Sequence, residues 1–140
     1  MLKSLCISLI AFVLIGCGET SRKNAPVSVT GSLSPTSYQT ILPLIGKEPV
    51  MLEFGSTTCA ACVRMGNLLG RIKQEYPSST IFFIDVYADM PAAKNYKIQM
   101  IPTQVYLDAH ANEVDRHTGE VDYETLVNRL KAEKIIKDLK

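Results

Sequence analysis

Cys59 and Cys62, separated only by Ala60 and Ala61, follow a short apolar run, Val50-Met51-Leu52-Glu53-Phe54, and open a stretch of helical period. Strand, turn and then two cysteines one helical turn apart is an arrangement suited to thiol–disulfide exchange. A cysteine at a helix N-terminus lies beside backbone N–H groups without intrahelical partners and beside the positive end of the helix dipole. Both favour thiolate over thiol, and thiolate is the nucleophile. Cys59 is therefore the expected nucleophile. Cys62, on the same face one turn later, is the expected resolving thiol, able to close a disulfide and release what Cys59 has captured. The rival reading is half of a metal site. A closed zinc site needs two more Cys or His ligands, and apart from cysteines near the N-terminus only His110 and His117 are available. Both fall in a hairpin segment and read as surface residues, so no metal is expected, and no cofactor beyond a redox-active Cys59–Cys62 disulfide. Glu53 is the third chemical candidate. A carboxylate inside an apolar strand is costly unless neutral or paired. Buried near Cys62 it would have a raised pKa and could move protons during disulfide exchange. The alternative is that its side chain reaches solvent or pairs with a lysine.

The elements that must hold these residues can be read from hydrophobic period and from breakers. Residues 50–54 read as a buried strand. Residues 59–76 read as a helix, because Met65, Leu68, Leu69, Ile72 and Tyr76 recur on one face, and Pro77 stops it. Residues 80–86 are almost continuously apolar and β-rich, a central-strand pattern. A short helix over 91–96, a strand over 104–107, a turn over 108–112 and an alternating partner strand over 113–117 follow. Gly119 breaks the chain. Asp122 can cap a final helix that carries Tyr123, Leu126, Val127 and Leu130 inward and ends in lysines. Upstream, Pro35-Thr36-Ser37 looks like a helix start, with a short helix over 38–45 ending near Gly46. Residues 27–30 are a candidate edge strand.

The chain has 140 residues, the length of one domain, and 15 basic against 14 acidic residues. A net charge of +1 without a basic cluster argues against nucleic acid as a partner. Met1 to Ser4 carries one lysine, and an apolar stretch of about a dozen residues follows, too short to span a bilayer. It ends in Leu14-Ile15-Gly16-Cys17, which resembles the lipobox of bacterial lipoproteins. That resemblance implies cleavage before Cys17 and a diacylglycerol on its thiol, with Cys6 lost in the signal. Two or three acyl chains suffice for stable anchoring. The expected organisation is a signal peptide over 1–16, a lipidated Cys17 with a polar tether over 17–34, and one folded domain over 35–140. Cys59 and Cys62 are then the only cysteines of the domain, which excludes a disulfide framework.

The order β-α-β-α, hairpin, α, together with four sequence points, resembles the thioredoxin superfamily over roughly residues 35–140. The points are Cys59-x-x-Cys62 after a strand, Glu53 where thioredoxins carry a buried aspartate, Ile101-Pro102-Thr103 where they carry a cis-proline loop, and Gly119 after the hairpin. The resemblance implies an α/β thioredoxin-like fold, a central mixed β-sheet flanked by helices on both faces. It implies a thiol–disulfide oxidoreductase, with a cis Pro102 beside the dithiol and with Ile101, Pro102 and Thr58 as substrate-binding residues. Protein disulfides or thiols are the implied substrates, a membrane-bound thiol-reducing protein the electron donor, and a monomer the expected state. Lipidation implies the periplasmic side of a bacterial membrane. The chain departs from the pattern in lacking any tryptophan, in its Ala-Ala dipeptide, and in lacking the histidine of the periplasmic disulfide oxidases. The last departure points to a more reducing couple and so to a reductase. A disulfide-forming oxidase, or a binding or chaperone module with a static disulfide, are the alternatives.

Overall fold

Six consecutive buried residues form the strand on which the domain is built. The structure is a computed structural model that describes residues 31–137; Cys6, Cys17, the proposed signal, the candidate strand over 27–30 and most of the tether lie outside the described residues. Strand β1 (Val50–Gly55) is buried along its whole length. It pairs in parallel with β2 (Ile81–Asp85) and antiparallel with β3 (Thr103–Leu107), and β3 pairs antiparallel with β4 (Glu113–Thr118), giving the order β2-β1-β3-β4. Because side chains alternate across a sheet, β1 sends Val50, Leu52 and Phe54 to one face and Met51 and Glu53 to the other.

Each face has its own core. Met51, Ile81 and Tyr106 pack with Met65, Leu69 and Ile72 of helix α2 (Ala60–Glu75) and with Leu126, Val127 and Leu130 of helix α4 (Tyr123–Ala132). Leu52, Phe54, Ile84 and Val105 pack with Ile41 of α1 (Tyr38–Ile41) and Ala92 of α3 (Met90–Asn95). The result is the mixed sheet with helices on both faces that the resemblance implied.

Several details differ from the sequence reading. The apolar 80–86 segment is not central: among the described residues β2 is the last strand of the sheet. Its apolar character comes from helices covering both faces, since Ile81 and Ile84 are fully buried on opposite sides. Its open edge is partly covered by the incoming chain, where Pro35 bridges Phe83 and the Thr36 N–H donates to the Phe83 carbonyl at 2.7 Å. That chain crosses α2 so closely that a Cβ at Gly70 would stand 1.9 Å from the Gly31 carbonyl oxygen. The first helix ends at Ile41 rather than Ile45 because Pro43 has no N–H to extend it; turns carry the chain on to Gly46. The last helix ends at Ala132. Ile135 and Ile136 then fold back into the core, their N–H groups bonded to the Leu130 carbonyl. Asp122 caps α4 as expected, accepting from the Thr125 N–H at 3.0 Å. No helix among the described residues is long and apolar enough to cross a membrane.

Candidate functional site

The first turn of α2 meets the end of β1 at the dithiol. Cys59 is the N-cap residue, in extended conformation. Its Sγ accepts the Cys62 N–H at 3.3 Å, the bond by which a side chain satisfies a free donor of the first turn. Its carbonyl accepts the Val63 N–H at 2.9 Å. Cys59 is partly exposed, Cys62 is buried, and the two are unbridged. Burial pushes the Cys62 thiol up, its hydrogen bond to Cys59 adds to this, and the Ser56 backbone N–H opposes it. One thiol thus faces solvent at a helix mouth, while the second is held as a thiol beneath it.

Close packing makes that arrangement. A Cβ at Gly55 would lie 2.8 Å from the Phe83 ring and 3.1 Å from the Cys62 Cβ. Only glycine lets strand, ring and dithiol helix approach so far. The turn from β1 to α2 is tied locally and from a distance. Ser56 Oγ bonds Thr58 Oγ1 at 3.0 Å and accepts the Thr58 N–H at 3.2 Å. Asp85, at the end of β2, accepts the Thr57 N–H at 3.2 Å and the Tyr87 N–H at 2.9 Å.

Glu53 lies on the same face of the sheet as Cys62 and is fully buried. Its neighbour on β2 is Phe83 and on β3 is Gln104. Gln104 Nε2 donates to Glu53 Oε2 at 2.8 Å. The pKa of Glu53 is pushed up to about 8 by burial, against the smaller opposing pull of the Gln104 hydrogen bond. Among the described residues its side chain neither reaches solvent nor meets a lysine. Lys73 of α2 donates instead to the carbonyls of Ser79 and Ile81.

Ile101 and Pro102 form the loop entering β3, and their peptide bond is cis. Pro102 is buried and Ile101 half-buried. The Pro102 carbonyl accepts the Gly119 N–H at 2.8 Å, which joins this loop to the end of β4. A groove of about 200 Å³ runs beside it, lined by Val86, Tyr87, Ala93, Ile98, Met100 and Ile101. Tyr87 and Met100 are strongly exposed for apolar side chains. Thr58 is exposed at the dithiol turn. His110 sits at the hairpin tip, where its N–H bonds Asp108. His117 lies on β4 with its ring 3.3 Å from the Glu120 carbonyl.

Sequence reasoning missed five residues. Gln104 is a polar residue in an apolar strand, a visible signal, but its pairing with Glu53 depends on strand register. Gly55 ends an apolar run and reads as a simple terminus. Asp85 closes another such run. Arg64 and Glu120 make a bidentate pair with both bonds at 2.7 Å; helical period marks Arg64 only as an outward residue.

A family model described as Thioredoxin matches residues 29–132. Among solved structures, the thioredoxin of Fasciola hepatica is 22% identical, with 68% of this chain and 88% of that one covered and a TM-score of 0.58. The thioredoxin of Malassezia sympodialis, Mala s 13, is 23% identical, with 74% and 92% covered and a TM-score of 0.60. At these identities the likeness is one of fold. A search of curated proteins gave no match.

The raised pKa of Glu53 has a consequence for stability. An unfolded Glu titrates near 4.5 and the folded one near 8, so the folded state holds the extra proton between those values. The stability this group contributes is complete below the lower value and is lost as pH rises through the upper one. At 1.36 kcal/mol per pH unit, the loss across that window is on the order of 5 kcal/mol. Glu53→Gln removes the titration, so its stability relative to the parent should climb by several kcal/mol between about pH 5 and about pH 9. Urea unfolding at the two pH values measures this. A constant difference would mean that the carboxyl is not held neutral.

Proposed function

The chain belongs to the thioredoxin family, whose members are thiol–disulfide oxidoreductases, and on that premise we propose that it is an exported, membrane-anchored reductase of protein disulfides acting through Cys59 and Cys62. The observation that carries the reading is the asymmetry of the pair: Cys59 caps a helix at the surface, and Cys62 is buried one turn below.

The Cys59 thiolate attacks one sulfur of a client disulfide. The bond between the client sulfurs breaks, a mixed disulfide forms, and the departing client sulfur leaves as a thiolate that takes a proton from water. In the molecules whose Glu53 is ionised, a fraction set by its pKa of about 8, Cys62 then gives its proton to that carboxylate as its sulfur attacks Cys59. The second client sulfur leaves with the bonding pair, and the Cys59–Cys62 disulfide remains. The client gains two electrons and the dithiol loses two. Glu53 suits this step because a base works best with a pKa near the operating pH. The neutral acid then loses its proton to solvent.

Before attack, an extended client segment pairs with the backbone at Ile101, a short strand addition, and its apolar side chain uses the groove along Tyr87 and Met100. Thr58 borders the dithiol from the other side. A membrane-bound thiol-reducing protein restores the dithiol, because the bacterial periplasm has no reducing thiol buffer. The Leu14-Ile15-Gly16-Cys17 sequence supports a lipid on Cys17 and a position on the periplasmic side of a membrane.

Three measurements test this. Cys62→Ala should accumulate client proteins as mixed disulfides on Cys59, resolvable by reductant and absent in Cys59→Ser; no trapped species would remove the exchange role. The couple should lie well below the value of about −120 mV typical of a strong oxidase, whereas a potential near that value favours a disulfide-forming enzyme. Labelled palmitate should enter the wild-type chain and not Cys17→Ser, and an unlabelled wild type refutes the anchor.

A further inference from the structure

Glu53 is flanked unequally. On β2 its register neighbour is the Phe83 ring, which offers no hydrogen-bond donor to a carboxylate, and on β3 it is Gln104. Both Glu53 and Gln104 are fully buried. The Gln104 amide nitrogen donates to Glu53 Oε2 at 2.8 Å and to the Gly119 carbonyl at 3.3 Å. The other oxygens, Glu53 Oε1 and Gln104 Oε1, have no protein partner among the described residues. Cys62 from α2 and Tyr106 from β3 are the titratable groups coupled to Glu53, and no lysine or arginine among the described residues offsets its charge.

We propose that Gln104 is a positioning residue: its amide fixes one oxygen of Glu53, leaves the other to carry the proton, and sets the proton affinity with which that carboxyl serves the dithiol. The reason lies in donor chemistry. A primary amide is neutral, and through its nitrogen it can only donate. It stabilises the ionised carboxyl without the full pull of a cation, so the acid stays neutral at rest yet can still be ionised. A lysine in this position would hold the carboxylate ionised, and an apolar residue would leave it almost permanently protonated. The second bond, to Gly119, ties the amide to the residue whose N–H holds the Pro102 carbonyl. The carboxyl and the loop beside the dithiol therefore share one anchor. This inference rests on the reading of Glu53 as the proton carrier.

The test is an infrared titration of the full chain, with the carboxylic C=O band of Glu53 assigned by its loss in Glu53→Gln. Gln104→Met should raise the midpoint by about one pH unit, the worth of a hydrogen bond to a charged group. Gln104→Lys should move it in the opposite direction. In the wild-type protein, which needs no substitution, the Gln104 side-chain amide resonances should titrate with the same midpoint. Midpoints unmoved in folded variants, or wild-type amide signals that stay fixed through the titration, overturn the proposal. The pH profile of mixed-disulfide resolution should shift with the infrared midpoint. If the midpoint moves and the rate profile does not, Gln104 governs the carboxyl as proposed, and it is Glu53 as proton carrier that fails.

Discussion

The first turn of a helix leaves backbone N–H groups that need acceptors, and in this protein one of them is met by sulfur. The bond from the Cys62 N–H to Cys59 Sγ is a capping bond, so the residue that closes the helix is also the one that offers a nucleophile. The bond that satisfies the helix therefore also holds the Cys59 sulfur in place at the surface. The surrounding elements keep that turn in place. Gly55 gives it room against Phe83, Ser56 ties the turn residue Thr58, and Asp85 reaches from the next strand to the Thr57 N–H.

Beneath the turn the electrostatics are handled by burial rather than by pairing. Among the described residues no cation faces Glu53, so desolvation dominates and the neutral acid is favoured. Cys62 lies in the same environment and is likewise held uncharged. Two buried acids, neither ionised at rest, avoid the cost of a charge in the core, yet each can be ionised when the other or the bound client changes. At the surface, by contrast, Arg64 and Glu120 are solvent-exposed. Exposed pairs of this kind contribute little to stability.

The sheet explains why burial is so complete at the site. β1 lies between β2 and β3 and is covered on both faces, so even a titratable side chain in it is shielded from bulk water. β2 carries the same apolar composition at the end of the sheet because two helical layers cover it. Hydrophobicity reported burial correctly in both strands. It could not report pairing, since a strand covered on both faces looks alike whether one or two neighbours bond to it.

What rests on contacts a few residues apart is legible in the chain itself: two cysteines at helical spacing behind an apolar strand, the inward face of α2, the Asp122 cap, and the hairpin with its breaking glycine. Spacing along one element is geometry that the chain carries with it. The resemblance added the expected layered sheet and the residues around Pro102. Tertiary structure decided the rest. Glu53 and Gln104 are 51 positions apart, and Arg64 and Glu120 are 56 apart. Such pairs exist only once strands adopt a register and a loop returns to the helix, and a one-residue slip in that register would put Gln104 on the opposite face of the sheet. Ile135 and Ile136 lie beyond the last helix, yet a turn after it carries them into the core. The physical reason is the same throughout: periodicity fixes which face a side chain points to, and only the assembled sheet fixes what it meets there.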